Sequence, residues 1–150
     1  MAQGGDPIPR SAFWLGTAGL IPFVVLASAL YALPDYRPTV LFWLTSYAAV
    51  ILSFVGAVHW GAAMLHPRMN EADRALFMTW SVVPALVAWA ALLMPPRTGL
   101  LLMAATFAAH YGADRQFAQR FNLPPWYLRL RAGLSAVAIL CLLLAILRVE

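Results

Sequence analysis

Apolar side chains along this chain fall into five long runs separated by short polar breaks. Residues 12–33, 39–65 and 75–94 contain no Asp, Glu, Lys or Arg. Two further runs, at 98–117 and 128–147, are apolar but carry charges near one end. About 20 residues of helix, at ~1.5 Å rise each, cross a hydrocarbon core of ~30 Å. The pattern therefore predicts five membrane-spanning helices in a single domain covering 1–150. The run at 98–117 needs its polar end to reach that length. Stopped before Asp114, it would hold about 15 residues, roughly 22 Å, too short to span. Asp114 and Arg115 are thus expected in the last turns of this helix, and not in a loop.

The breaks are Pro-rich or charged. Pro34-Asp35-Tyr36-Arg37-Pro38 and Pro95-Pro96-Arg97-Thr98 read as turns. Between the second and third runs lies a polar loop in which Asn70 or Asp73 is placed to cap the next helix. Segment 117–127 mixes aromatic and basic residues around Pro124-Pro125 and reads as lying along the membrane surface. Pro22 is expected to kink the first helix and Pro84 lies midway along the third. Arg10, the run from Phe13 and Ala27-Ser28-Ala29 have the outline of a cleaved signal. The run continues to Leu33, however, and so reads as the first span.

Composition strengthens this picture. Hydrophobic residues make up 63% of the chain and charged residues 11%, against roughly 25% charged in an average soluble protein. The fold class is all-α, a polytopic membrane protein with the lipid bilayer as its first partner. All ten basic side chains are Arg. They stand at the ends of apolar runs, where they reach headgroups, so the positive charge is no nucleic-acid footprint. Five spans put the termini on opposite sides. With the N-terminus inside, Arg10, Arg68, Arg74, Arg115, Arg120, Arg129 and Arg131 lie inside and Arg37, Arg97 and Arg148 outside. This asymmetry favours an N-in, C-out orientation. Cys141 is the sole cysteine, which excludes an intrachain disulfide and Cys-pair metal motifs.

Candidate chemistry centres on Gly56-Ala57-Val58-His59-Trp60-Gly61, where an imidazole stands inside a charge-free run. An intramembrane ionisable residue calls for a partner. His110 and Asp114, four apart, share a helix face, where the carboxylate can orient the imidazole. With N-in topology His59, Trp60, Trp80, His110, Asp114 and Arg115 fall at one depth, the candidate polar cluster. Arg115 points about 100° from Asp114 around a helix of ~3.6 residues per turn. Gly16, Gly19, Ser53, Gly56 and Gly61 are candidate close-packing positions, with the last three offered to the helix carrying His110. Trp14, Trp126, Tyr127, Arg129 and Arg131 read as interfacial anchors. The cluster admits three uses: a structural clasp joining helices, a proton or quinone site beside Trp60, Trp80 and Tyr111, or a metal or haem ligand pair of His59 and His110. Two His are thin support for metal, so no cofactor or metal is expected, with quinone or haem as the alternative. Phosphate loops, Ser-His-Asp spacing and paired hydrolytic carboxylates are missing, and no catalytic residue is assigned.

Three segments together resemble the transmembrane protein 69-like family: Gly56-Ala57-Val58-His59-Trp60-Gly61, His110-Tyr111-Gly112-Ala113-Asp114-Arg115, and Leu123-Pro124-Pro125-Trp126-Tyr127-Leu128-Arg129-Leu130-Arg131. The resemblance implies about five spans in a bacterial or mitochondrial inner membrane, within a domain of unknown function. It supplies no activity. With no presequence ahead of the first run, a bacterial inner membrane is the expected location. Five short spans enclose little by themselves. The expected role is therefore a non-catalytic accessory or assembly subunit of a larger respiratory or photosynthetic electron-transfer complex. The alternative is a small quinone-, haem- or proton-handling protein using the His/Asp cluster.

Overall fold

A computed structural model describes residues 7–67, 69–121 and 123–149. Arg68 of the charge asymmetry lies outside the described residues. Every regular element among the described residues is helical: α1 (Arg10–Ala18), α2 (Ile21–Ala32), a 3₁₀ turn at Pro34–Tyr36, α3 (Arg37–Leu65), α4 (Glu71–Leu92), α5 (Pro96–Phe121) and α6 (Pro125–Ile146). α1 and α2 form one bent rod, so the described residues make five rods.

The bend follows from Pro22. Its ring removes a backbone donor and crowds the preceding turn, and the helix breaks at Gly19-Leu20. The Tyr47 hydroxyl, from α3, donates to the Gly19 carbonyl at 2.8 Å. A backbone acceptor at the break is thereby satisfied away from water. Pro38 sits in the first turn of α3, where the missing N–H costs nothing. Asn70 caps α4 by accepting from the Asp73 N–H at 2.8 Å. That cap starts α4 at Glu71, so the charged residues before Ala75 belong to its first turn.

Among the described residues, four helical stretches are long and apolar enough to cross a membrane: 10–32, 34–65, 71–92 and 125–146. α5 has 26 residues, but Arg97, His110, Asp114 and Arg115 dilute its apolar character. Its buried stripe (Leu100, Met103, Phe107, His110, Asp114, Phe117) recurs every three or four residues and faces the interior. α5 also continues through Phe121. Segment 117–127, expected to lie along the membrane surface, includes the last turn of α5 and the first turn of α6. Phe117 and Ala118 are buried there, and packing of that apolar face outweighs the aromatic and basic composition around it.

α3 packs along α4, α4 against α5, α5 against α6 and α6 against α2, which also lies on α3; α3 and α5 meet across the middle. Two glycines set the closest approaches. A Cβ on Gly56 would stand 2.3 Å from the Ser81 carbonyl oxygen of α4, and one on Gly99 2.5 Å from that of Ala91. Gly56 therefore serves the α3–α4 contact, and not the α3–α5 contact expected for it. The interior has two apolar parts. A large one includes Phe23, Leu44, Leu52, Leu100, Met103, Phe107 and Leu142, and a small one joins Ala63, Met69, Phe77 and Phe117. Between Phe107 and Phe117 on α5 stand His110 and Asp114, so a polar layer separates the two.

Candidate functional site

Asp114 is the hub of that layer and is fully buried. Arg131 Nε on α6 donates to Oδ2 at 2.8 Å. Tyr127 Oη, one turn earlier on α6, donates to Oδ1 at 3.3 Å. His59 Nε2 on α3 lies 3.2 Å from Oδ1. His110 Nδ1, one turn back on α5, is 3.7 Å from Oδ2, beyond hydrogen-bond reach. One carboxylate thus ties α3, α5 and α6. The two imidazoles meet edge to face, ring centroids 4.8 Å apart. His59 also packs on Phe77 and Phe117, and Trp80 lies 6.1 Å from His110.

Antiparallel register explains the Asp114–Arg131 pair. Asp114 stands seven residues before the end of α5 and Arg131 six after the start of α6. The tight reversal between the helices sets them opposite each other. The i, i+4 pair His110/Asp114 then faces the i, i+4 pair Tyr127/Arg131. An isolated carboxylate in a low-dielectric interior is costly, and the Arg131 charge with the hydrogen bonds from Arg131 and Tyr127 offsets that cost.

Of the six residues expected to form the polar cluster, His59, His110 and Asp114 come together, and Trp80 flanks them. Trp60 follows His59 in sequence, points away around the helix and is 45% exposed. Arg115 is exposed beside Asp114 in the same manner. Conversely, Arg131 and Tyr127, expected at the membrane surface, belong to the cluster. Arg131 is buried, because α5 is long enough to carry Asp114 into the interior and an Arg there needs its countercharge. The available signal is an Asp in the helix interior with only a His on its own face, which calls for a fixed cation from another helix. Trp14 and Arg129 are exposed and Trp126 is half-buried. Among the packing positions, Gly16 meets Leu134 of α6, with a virtual Cβ 3.0 Å from its Cδ1. Gly19 supplies its carbonyl to Tyr47. Gly61 has no neighbour at its Cβ position, and Ser53 is exposed and donates to Ala49 of its own helix.

His59, His110 and Asp114 also offer three metal-ligand atoms within 4.8 Å of one another. The carboxylate already holds the Arg131 guanidinium, however. A divalent cation on it would face that charge at close range in a low-dielectric interior. The residues present fit an ion-paired carboxylate better than a cation site.

A model of the DUF3429 family, described as a protein of unknown function, matches residues 8–147. The chain belongs to this family. Transmembrane protein 69 of Xenopus tropicalis is 38% identical over 138 residues, which cover 89% of this chain and 53% of that protein. Transmembrane protein 69 of Mus musculus is 25% identical over 130 residues, covering 87% and 53%. The chain spans about half the length of these curated relatives. No solved structure matches it. The transmembrane protein 69-like resemblance therefore holds, and this DUF3429 chain is a multi-pass integral membrane protein whose polar layer is built from residues of all three segments that carried the resemblance.

Proposed function

We propose that this DUF3429 protein is a non-catalytic accessory or assembly subunit of a respiratory or photosynthetic electron-transfer complex in a bacterial inner membrane, N-terminus inside, with the Asp114 layer as its structural clasp. The observation that carries the non-catalytic reading is the closure of the hub. Asp114 is fully buried, its oxygens accept from Tyr127 and Arg131 of the same chain, and His59 Nε2 stands 3.2 Å from Oδ1. A carboxylate held this way locks helices together, its charge balanced by Arg131 within the same chain. The association is supported by what the bundle presents outward. Phe42, Trp43, Phe54, Trp60 and Trp89 are large exposed side chains on α3 and α4, and such aromatics suit contact with partner helices as well as lipid.

The test is purification in mild detergent from membranes at native expression. Stoichiometric co-purification with an oxidase, cytochrome or light-harvesting complex is the expected result. Recovery of the lone protein would overturn the accessory role.

A further inference from the structure

Between α1–α2, α3 and α6 lies an apolar cavity of about 390 Å³, within the ~300–1,000 Å³ range of small-molecule sites. Phe23, Phe107 and Trp126 are aromatic residues of its lining, the first two packed edge to face with ring centroids 6.0 Å apart. Leu15 and Phe54 line it and are largely exposed, so it opens on the outer surface of the bundle. Its polar lining is concentrated on α6, at Tyr127, Arg131 and Ser135.

Two of those groups are unspent. Arg131 uses Nε on Asp114, while its Nη2 is buried without a hydrogen-bond partner. Ser135, one turn further along the same face and 3% exposed, has no partner for Oγ. Thr45, Ser53, Ser81 and Thr106 each donate to a carbonyl of their own helix; Ser135 does not. Buried donors left unpaired are costly, and both belong to residues forming the wall of one cavity. The charge of Arg131 is already balanced by Asp114, so the pair favours a neutral acceptor over an anion. The demand is for a flat, apolar molecule ending in a carbonyl oxygen.

We propose that this cavity binds the head ring of an isoprenoid quinone, a ring carbonyl accepting from Ser135 and Arg131 after a small rotation of either side chain, with the tail leaving past Leu15 and Phe54 into the bilayer. A lipid ester carbonyl has the same acceptor chemistry but lacks a planar ring to pack against the aromatic residues of the lining. The inference concerns binding alone and is independent of the accessory role.

The test is photolabelling of the full chain in nanodiscs with an azido-substituted benzoquinone bearing a short alkyl chain, mapped by peptide mass spectrometry. Label is expected on the cavity walls of α1, α3 and α6, displaced by the unlabelled quinone and not by the matching alkylbenzene. Ser135→Ala, which leaves the cavity open, should raise the half-displacing quinone concentration about three- to tenfold, the loss of one hydrogen bond. Val58→Trp, at a half-exposed lining position, should abolish labelling while the protein stays monodisperse. Label scattered over lipid-facing residues would overturn the proposal. So would equal displacement by alkylbenzene, or displacement by diacyl phospholipid, which would make the cavity a lipid site.

Discussion

Arg131 and Asp114 form a buried ion pair across the α5–α6 hairpin, Nε to Oδ2 at 2.8 Å, with side chains 9% and 0% exposed. Both groups are shielded from solvent. The two charges therefore stand or fall together, and their energetics differ from those of a surface salt bridge.

Removing one partner is expected to be far worse than removing both. Asp114→Leu leaves the Arg131 guanidinium buried and unpaired and should cost about 3–5 kcal/mol. The double variant Asp114→Leu/Arg131→Met should recover most of that loss. Thermal unfolding in detergent, with membrane accumulation as a second readout, checks both. Equal destabilisation in the single and double variants would show that the pair is not the origin of the effect.

Arg115 tests the same point from the adjacent position. It is exposed beside the buried Asp114, so Arg115→Gln should shift stability by less than ~0.5 kcal/mol. Arg131→Gln should cost several times more in the same melting assay.

Gly56 and Gly61 separate close packing from helix propensity. Gly56→Ala places a methyl 2.3 Å from the Ser81 carbonyl oxygen, a backbone atom that cannot rotate aside. The expected loss is about 1–3 kcal/mol from overpacking. Gly61→Ala meets nothing within 4 Å and should be neutral or stabilising by up to ~1 kcal/mol. Similar melting temperatures for the two variants would contradict the α3–α4 contact.

Tyr47→Phe removes the donor to the Gly19 carbonyl at the α1–α2 break while keeping the ring on Phe23, whose centroid is 5.2 Å away. A loss of about 1 kcal/mol is expected. Hydrogen exchange should rise at residues 19–25 and stay unchanged in α4.

Much of this architecture was legible in the linear chain because membrane insertion is a local demand. A helix must be long and apolar whatever its neighbours, so runs 12–33, 39–65 and 128–147 predict their elements to within a few residues. His59, His110 and Asp114 stood out for the same reason, as ionisable groups inside such runs. Which way they turn and what they meet are pairwise matters. Trp60 and Arg115 share the depth of the cluster but point outward, since one residue rotates the side chain about 100° around the helix. Arg131 has the composition and position of a surface anchor, and only the α5–α6 register brings it to the carboxylate. Gly56 carries no mark of which neighbour needs it; the proximity of the Ser81 carbonyl decides for α4. Periodicity and hydropathy act along one chain segment, whereas countercharge, close approach and cavity shape arise from two or more segments meeting, and so belong to the folded bundle.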